Sequence, residues 1–389
     1  MLSKGYLYIF SCFFVLLISI GYSAPALADN LQNDFVPLPT KAMSKTSIDY
    51  NNLSILLDRT VLYTGESTRL KAEHSGPNIG TRLKTRVGHT SPYHLEGNKV
   101  LFSKFSSTHK LAFSNYKDEL EALGNSVDIS ALSRNEQLAY WFNLHNVTVL
   151  DTIAKHYPVR EPRKLLIGPE KTPFHDAKIL NIRGVKLSLR DIRENIVFSN
   201  WSDPDVIYGF FHGDLDSPTL HETAFNSKNL SGLLSFSANE FTNSLRGVRK
   251  KKRRSDVVLV SPIYQEAETY YFPDFENDLK AHLKKHLYSN VAELLDTSSM
   301  IEFSKHQNTV ADIMGGVRSR VIPNGNLINQ SGNNRLGQGQ SRSFLSAERD
   351  FRDRLLKKRE QLRFRGRLRS SQVVIEDIET TDEPVVEIK

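Results

Sequence analysis

Cysteine is almost missing from this chain: Cys12 is the only one in 389 residues. One thiol cannot close an intrachain disulfide, and it cannot supply a cysteine-ligated metal centre. Cys12 also falls inside an N-terminal segment that reads as a leader. Removal of that segment leaves no thiolate for nucleophilic or redox chemistry. Charge of one sign is missing from the body as well. The formal net charge is +7, yet residues 29–314 carry 35 Lys/Arg against 34 Asp/Glu. From Gly315 onward 15 Lys/Arg face 10 Asp/Glu, and six of the body's own cations form one run, Arg249-Lys250-Lys251-Lys252-Arg253-Arg254. Without that run the body is mildly acidic, which argues against nucleic acid as a partner. No internal repeat is present.

What is present begins with the leader. Lys4 is the only charge in the first 28 residues, and an apolar run follows from Tyr6 to Ile20. Ala26-Leu27-Ala28 before Asp29 then has the small-x-small form of a signal-peptidase site. Cleavage predicts a periplasmic or secreted protein. Retention predicts a membrane-anchored one, because the apolar stretch nearly reaches the roughly 20 residues of a spanning helix. The break at Pro25 favours cleavage. An exported chain without disulfides depends on its core, and about 285 residues are enough to bury one.

The remainder divides into an N-terminal arm and small extension (29–110), a globular domain (111–314) and a basic tail (315–389). Residues 29–60 are polar with scattered apolar positions and read as a loosely attached arm. Asn98–Phe102 reads as a short strand. Leu111, Phe113, Tyr116, Leu120 and Leu123 give helical spacing over 107–125. Ser133 and Glu136 form a capping-box pair for a helix that runs to His156 and stops before Pro158. Ile179 to Leu187 reads as a hairpin about Arg183-Gly184, and Ser188 caps a helix through Val197. Val206–Phe211 suits a buried strand. A long helix over 226–245, a basic loop, a strand at Val257–Val260 and helices at 274–287 and 289–296 complete the body. The segment 315–340, rich in Asn, Gly, Gln and Arg, is expected to be disordered. Residues 346–369 can form a basic amphipathic helix with Phe351, Leu355 and Leu362 on one side, read as a solvated tail ahead of a membrane-surface helix. The fold class is α+β (mixed α/β): a helix-rich single domain around a small sheet, with a disordered C-terminal tail.

Four stretches together resemble a known family. Glu136-Gln137-Leu138-Ala139-Tyr140-Trp141-Phe142-Asn143-Leu144-His145-Asn146 is similar to the "(E)QxAFWxNxYN" signature of the domain-of-unknown-function-547 family. Tyr157-Pro158 matches its next landmark. Gly184 to Ile192 resembles "GxxLSLxDIE", and Asp203-Pro204 through Ser217-Pro218 resembles "DPRxHFALxCGxxSCP". The resemblance covers roughly residues 115–300 and implies no established activity. The departures are specific. His212 and Ser217 stand where the family has cysteines, Arg193 replaces an acidic residue, and Asp205 replaces an arginine.

Two chemistries follow from these residues, each beside a plainer reading. In a hydrolase acting on a cell-envelope polymer or peptide, Ser217 is the nucleophile. His212, His145 or His221 is the base, and Asp216 or Asp214 orients it. Against this, Gly213-Asp214-Leu215-Asp216-Ser217-Pro218 is no G-x-S-x-G elbow, and Pro218 lacks the amide an oxyanion hole would use. His212, Asp214, Asp216, His221 and Glu222 also supply metal-ligand types, but not in a familiar spacing, and no metal or other cofactor is assigned. Buried amides need partners. Asn143 and Asn146, with His145 between them on another face, are therefore expected to tie down the loop carrying Asp203 and Gly213 or else to line a ligand cleft. The run Arg249, Lys250, Lys251, Lys252, Arg253 and Arg254 reads as a solvated loop, or with the tail as a contact for anionic lipid or an envelope polymer. A binding or envelope-associated module is the first functional reading, and the hydrolase is the second.

Overall fold

The computed structural model describes residues 46–72, 89, 91–316 and 335–364, the last stretch with side chains over 348–363. Residues 1–45, 73–88, 90, 317–334 and 365–389 lie outside the described residues, and with them the expectations of a leader and of disorder over 317–334; residues 335–340, also expected to be disordered, are helical. Among the described residues no helix is long and apolar enough to cross a membrane.

The body is helix-rich with small sheets, a mixed α+β arrangement built around one helix. That helix, α3 (Arg134–His156), follows α1 (Asn51–Thr60) and α2 (Ser107–Ser126). From Glu136 to Ala154 every residue of α3 is buried, so it is packed on all sides. Such a helix needs internal partners for each polar group, and its signature amides follow from that need. Ser133 caps it, with Glu136 N–H donating to Ser133 Oγ at 3.3 Å. The other half of the expected capping box is not made. Glu136 Oε1 instead accepts from the Ile48 amide at 2.7 Å. That bond draws the N-terminal stretch inward. Tyr50, Leu53 and Leu57 join the main core, so the described part of the expected loose arm is packed.

The strands are short. β1 (Val61–Leu62) pairs with β2 (Lys99–Val100), β3 (Leu166–Ile167) with β4 (Thr172–Pro173), and β5 (Leu180–Ile182) with β6 (Val185–Leu187). The β5–β6 hairpin turns at Arg183-Gly184, both with positive φ (54° and 82°), the geometry of a type I′ turn. A π-helical segment follows at Asp191–Phe198. Three further expectations are corrected. Val206–Phe211 is not a strand, since Pro204–Gly209 winds into a 3₁₀ helix. Pro204 fixes its own φ, and Asp203 Oδ1 accepts from the Asp205 amide at 3.1 Å, which together start a tight turn. The helix expected over 226–245 is shorter, α4 (Leu230–Thr242), because Asn226 and Asn229 cap each other's amides at 2.8 and 3.0 Å and delay its start. The basic run is a hairpin, not a loop. β7 (Val248–Lys251) pairs antiparallel with β8 (Arg254–Val260), which pairs in parallel with β9 (Met300–Phe303).

Two single turns, α5 (Ile263–Glu266) and α6 (Glu268–Tyr271), lead into α7 (Phe275–Lys284) and α8 (Ser289–Asp296). The last element, α9 (Arg335–Phe364), lies back on the body. Phe351, Leu355 and Leu362 are buried, and the first two pack with Ile313 and Met314 in a second, smaller core.

Candidate functional site

The two asparagines of α3 act as backbone clamps. Asn143 Nδ2 donates to Phe225 O (2.7 Å) and its Oδ1 accepts from Phe225 N–H (3.1 Å). Asn146 Nδ2 donates to Gly209 O (2.9 Å) and its Oδ1 accepts from Phe211 N–H (2.9 Å). Each carboxamide thus replaces the donor and acceptor that a neighbouring strand would give, which satisfies extended segments that have no sheet. Asn146 reaches the loop that the sequence pointed to. Asn143 reaches a later one. Both also border a small cavity with Leu53, Leu57 and His221. Close approach needs small residues opposite. A Cβ on Gly209 would come within 2.4 Å of the Phe142 ring, and one on Gly213 (φ +93°) within 2.4 Å of Ile153 Cδ1.

His145 points the other way, into a polar interior with His175 and His212, the ring centroids 5.5 to 6.5 Å apart. Two arginines organise it. Arg193, 2% exposed, pairs through Nε with Glu266 and donates from Nη1 to His145 Nε2 (3.0 Å) and His175 Nδ1 (3.2 Å). Arg163 pairs with Asp214 and donates to His212 Nδ1 (2.9 Å). The opposite nitrogens complete the pattern. His145 Nδ1–H donates to Asn146 Oδ1 (3.1 Å), and His175 Nε2–H donates to His212 O (3.1 Å). This network assigns neutral imidazoles, because a proton on an accepting nitrogen would face a guanidinium. Burial, and then Arg193, push all three histidines well below their ordinary value. Arg193 and His212, two of the departures from the family pattern, therefore lie in one buried cluster.

The 212–218 loop is held from every direction. Ser217 is 1% exposed. Its Oγ accepts from the amides of His212 (2.9 Å) and Asp214 (3.2 Å) and donates to Asp214 Oδ1 (3.1 Å). Its carbonyl accepts from Arg246 Nη1 (2.7 Å). Arg246 in turn makes a two-pronged pair with Glu240 (2.5 and 2.6 Å), which also takes the Thr219 hydroxyl. Burial pushes the Glu240 carboxyl up, but Arg246, the Thr219 hydroxyl and Lys358 together outweigh it and hold the group below its ordinary value. Asp216 accepts from the Gln307 amide and faces His306 at 3.6 Å. Ser217, His212 and Asp216 are therefore neighbours that are not joined as nucleophile, base and orienter. The His212 ring bonds Arg163, and only its backbone amide meets Ser217. His221 bonds Ser237 Oγ at 2.7 Å and is pushed down to about 4 by burial. It stands apart from Asp214 and Asp216, which have the partners just named.

On the surface, the basic hairpin divides its cations. Arg249 donates to Leu245 O (2.8 Å) over the Tyr93 ring, Lys251 pairs with Glu302 (2.6 Å) and Arg254 with Asp256 (2.7 Å). Lys250, Lys252 and Arg253 are exposed and have no ion pair among the described residues.

One group was missed by the motif-based expectations. Asp205, His282 and His286 bring one ligand atom each within 4.8 Å of one another. The His282–His286 spacing of four was the available signal, but Asp205 lies some eighty positions away. His175, Arg163 and Glu266 had no local signal at all, since each comes from a separate loop or turn.

No curated protein and no solved structure matches the chain. Residues 129–242, from just before α3 to the end of α4, match the model of the family described as "Protein of unknown function, DUF547", a stretch that includes the clamps Asn143 and Asn146 and the 212–218 loop.

Proposed function

We propose that the protein is an exported, envelope-associated binding module that meets an anionic lipid surface through the tip of the β7–β8 hairpin. The observation that carries this reading is the set Lys250 on β7 and Lys252 and Arg253 at the hairpin turn, exposed and without ion pairs among the described residues. Cations already paired within the fold have little left to offer a surface, whereas each free one adds about 1 kcal/mol near anionic headgroups. Three such charges correspond to roughly a hundredfold in affinity. Export rests on the leader and its Ala26-Leu27-Ala28 site. The hydrolase reading has weaker support, because Ser217 Oγ is engaged with its own turn and among the described residues no imidazole is bonded to it.

Sedimentation with phosphatidylglycerol vesicles at low salt tests the proposal. Retention is expected to fall roughly a hundredfold in the Lys250→Gln/Lys252→Gln/Arg253→Gln variant and to vanish on neutral phosphatidylcholine. Equal retention of the variant sinks the hairpin as the contact. Labelling by a serine-reactive phosphonate that is lost in Ser217→Ala would replace binding by hydrolysis as the function.

A further inference from the structure

We infer that Asp205, His282 and His286 form a binding site for a borderline divalent cation of the Zn²⁺ type. The site lies where the 3₁₀ turn Pro204–Gly209 meets the C-terminal end of α7. His282 sits in the last turn of that helix, and His286 follows one turn on, its amide bonded to Leu283 O at 2.9 Å. Both imidazoles therefore face the same side, with centroids 5.3 Å apart.

The independent sign of a ligand is His282 Nδ1. The side chain is 3% exposed, and this nitrogen is buried without a hydrogen-bond partner, aimed at Asp205 Oδ1 from 3.9 Å. That is too long for a hydrogen bond. Its other nitrogen is occupied, since Nε2 lies 2.8 Å from Tyr208 Oη, which lies 3.1 Å from Tyr264 Oη. With Nε2–H donating to the tyrosine, Nδ1 carries a bare lone pair, the arrangement in which an outer group sets the tautomer of a metal-bound histidine. His286 Nε2 lies 2.8 Å from the same carboxylate. Ligand bonds of about 2.0–2.1 Å in a tetrahedron put donor atoms roughly 3.3 Å apart. The two separations from Asp205 Oδ1, 2.8 and 3.9 Å, bracket that value, and all three ligand atoms lie within 4.8 Å of one another, so side-chain movements of about 1 Å admit an ion. Three protein ligands leave a fourth position for water, and the Asp205 side chain is 21% exposed, which opens that side to solvent. The carboxyl end of α7 adds the favourable end of its dipole. Asp205 is the residue that stands where the resembled family has an arginine, so this site is a feature of this chain and not of that pattern.

Cobalt titration of the full exported chain, stripped of metal by chelator, tests the inference. One Co²⁺ per chain is expected to give the visible absorption of a low-coordinate site, and Zn²⁺ should bleach it. Asp205→Asn and His286→Gln are each expected to weaken binding by roughly a hundredfold. Tyr208→Phe should keep the spectrum and weaken binding by about tenfold, as an outer partner does. Far-ultraviolet circular dichroism checks folding, and Asp205→Asn, at a partly exposed position, disturbs the interior least. Absence of both spectrum and binding heat in the wild-type chain overturns the inference. An affinity unchanged in Asp205→Asn also overturns it, since adventitious surface histidines would then account for the ion.

Discussion

At the scale of single residues, the side chains that make the sequence recognisable are hydrogen-bonding fittings for backbone. Asn143 replaced by Leu would leave Phe225 N–H and C=O buried and unpartnered, at about 1–3 kcal/mol for each group. The expected loss is therefore about 2–6 kcal/mol, read as a lower urea midpoint. Asn146→Leu should behave alike through Gly209 and Phe211. If the carboxamides instead served mainly as walls of a ligand cleft, stability would be unchanged within about 1 kcal/mol. Ser217→Ala belongs with them. It removes the acceptor for both the His212 and Asp214 amides and should cost about 2–6 kcal/mol. A cost near zero would mean that the loop holds its shape without the hydroxyl.

At the scale of elements, the final helix is the clearest case of an unread partner. Phe351, Leu355 and Leu362 were legible as one apolar side, but nothing local says whether such a side meets water, a membrane or the body. In the fold it meets Ile313 and Met314, with Leu62, Leu95 and Leu101 at the edge. Lys358, also buried, donates to Gly65 O (3.1 Å) and Leu95 O (2.6 Å), and burial pushes its amine down to about 8. Leu355→Ala is then expected to cost about 2–5 kcal/mol, as in a core. A change below about 0.5 kcal/mol would restore the solvated-tail reading. The same division runs through the rest of the molecule. Periodicity and turn chemistry made α2, α3, the β5–β6 hairpin, α7 and α8 readable, because those signals are local. The 3₁₀ turn after Pro204 was hidden by an apolar run that suits a strand equally well. The histidine–arginine interior was out of reach because Arg163, His175, Arg193 and Glu266 are brought together only by tertiary packing. Glu136 shows the same limit, since its capping-box position was legible but its bond to Ile48 was not.

At the scale of the whole molecule, the buried histidines couple folding to pH. His94, His221 and His282 are pushed down to about 4, mainly by burial. His145, His175 and His212 are held well below the ordinary value by burial and Arg193. The unfolded chain takes up protons near pH 6.5, and these groups in the folded chain do not. The unfolded state thus binds more protons below that pH, and stability falls as pH falls. For the three histidines near 4, the window opens near 6.5 and closes near 4, with a limiting slope of about 1.4 kcal/mol per pH unit for each. Between pH 7 and 5.5 each of these three contributes a loss of about 1 kcal/mol in the metal-free chain, so together they remove about 3 kcal/mol from a total that is typically about 5–15 kcal/mol, and His145, His175 and His212 act in the same direction. Salt cannot remove this effect as it removes surface charge effects, because the penalty is burial itself. The urea midpoint should therefore drop markedly from pH 7 to 5.5 at both low and high salt. A midpoint that stays level would require the interior to admit protons, and with them water, among Arg163, Arg193 and the three histidines they bond.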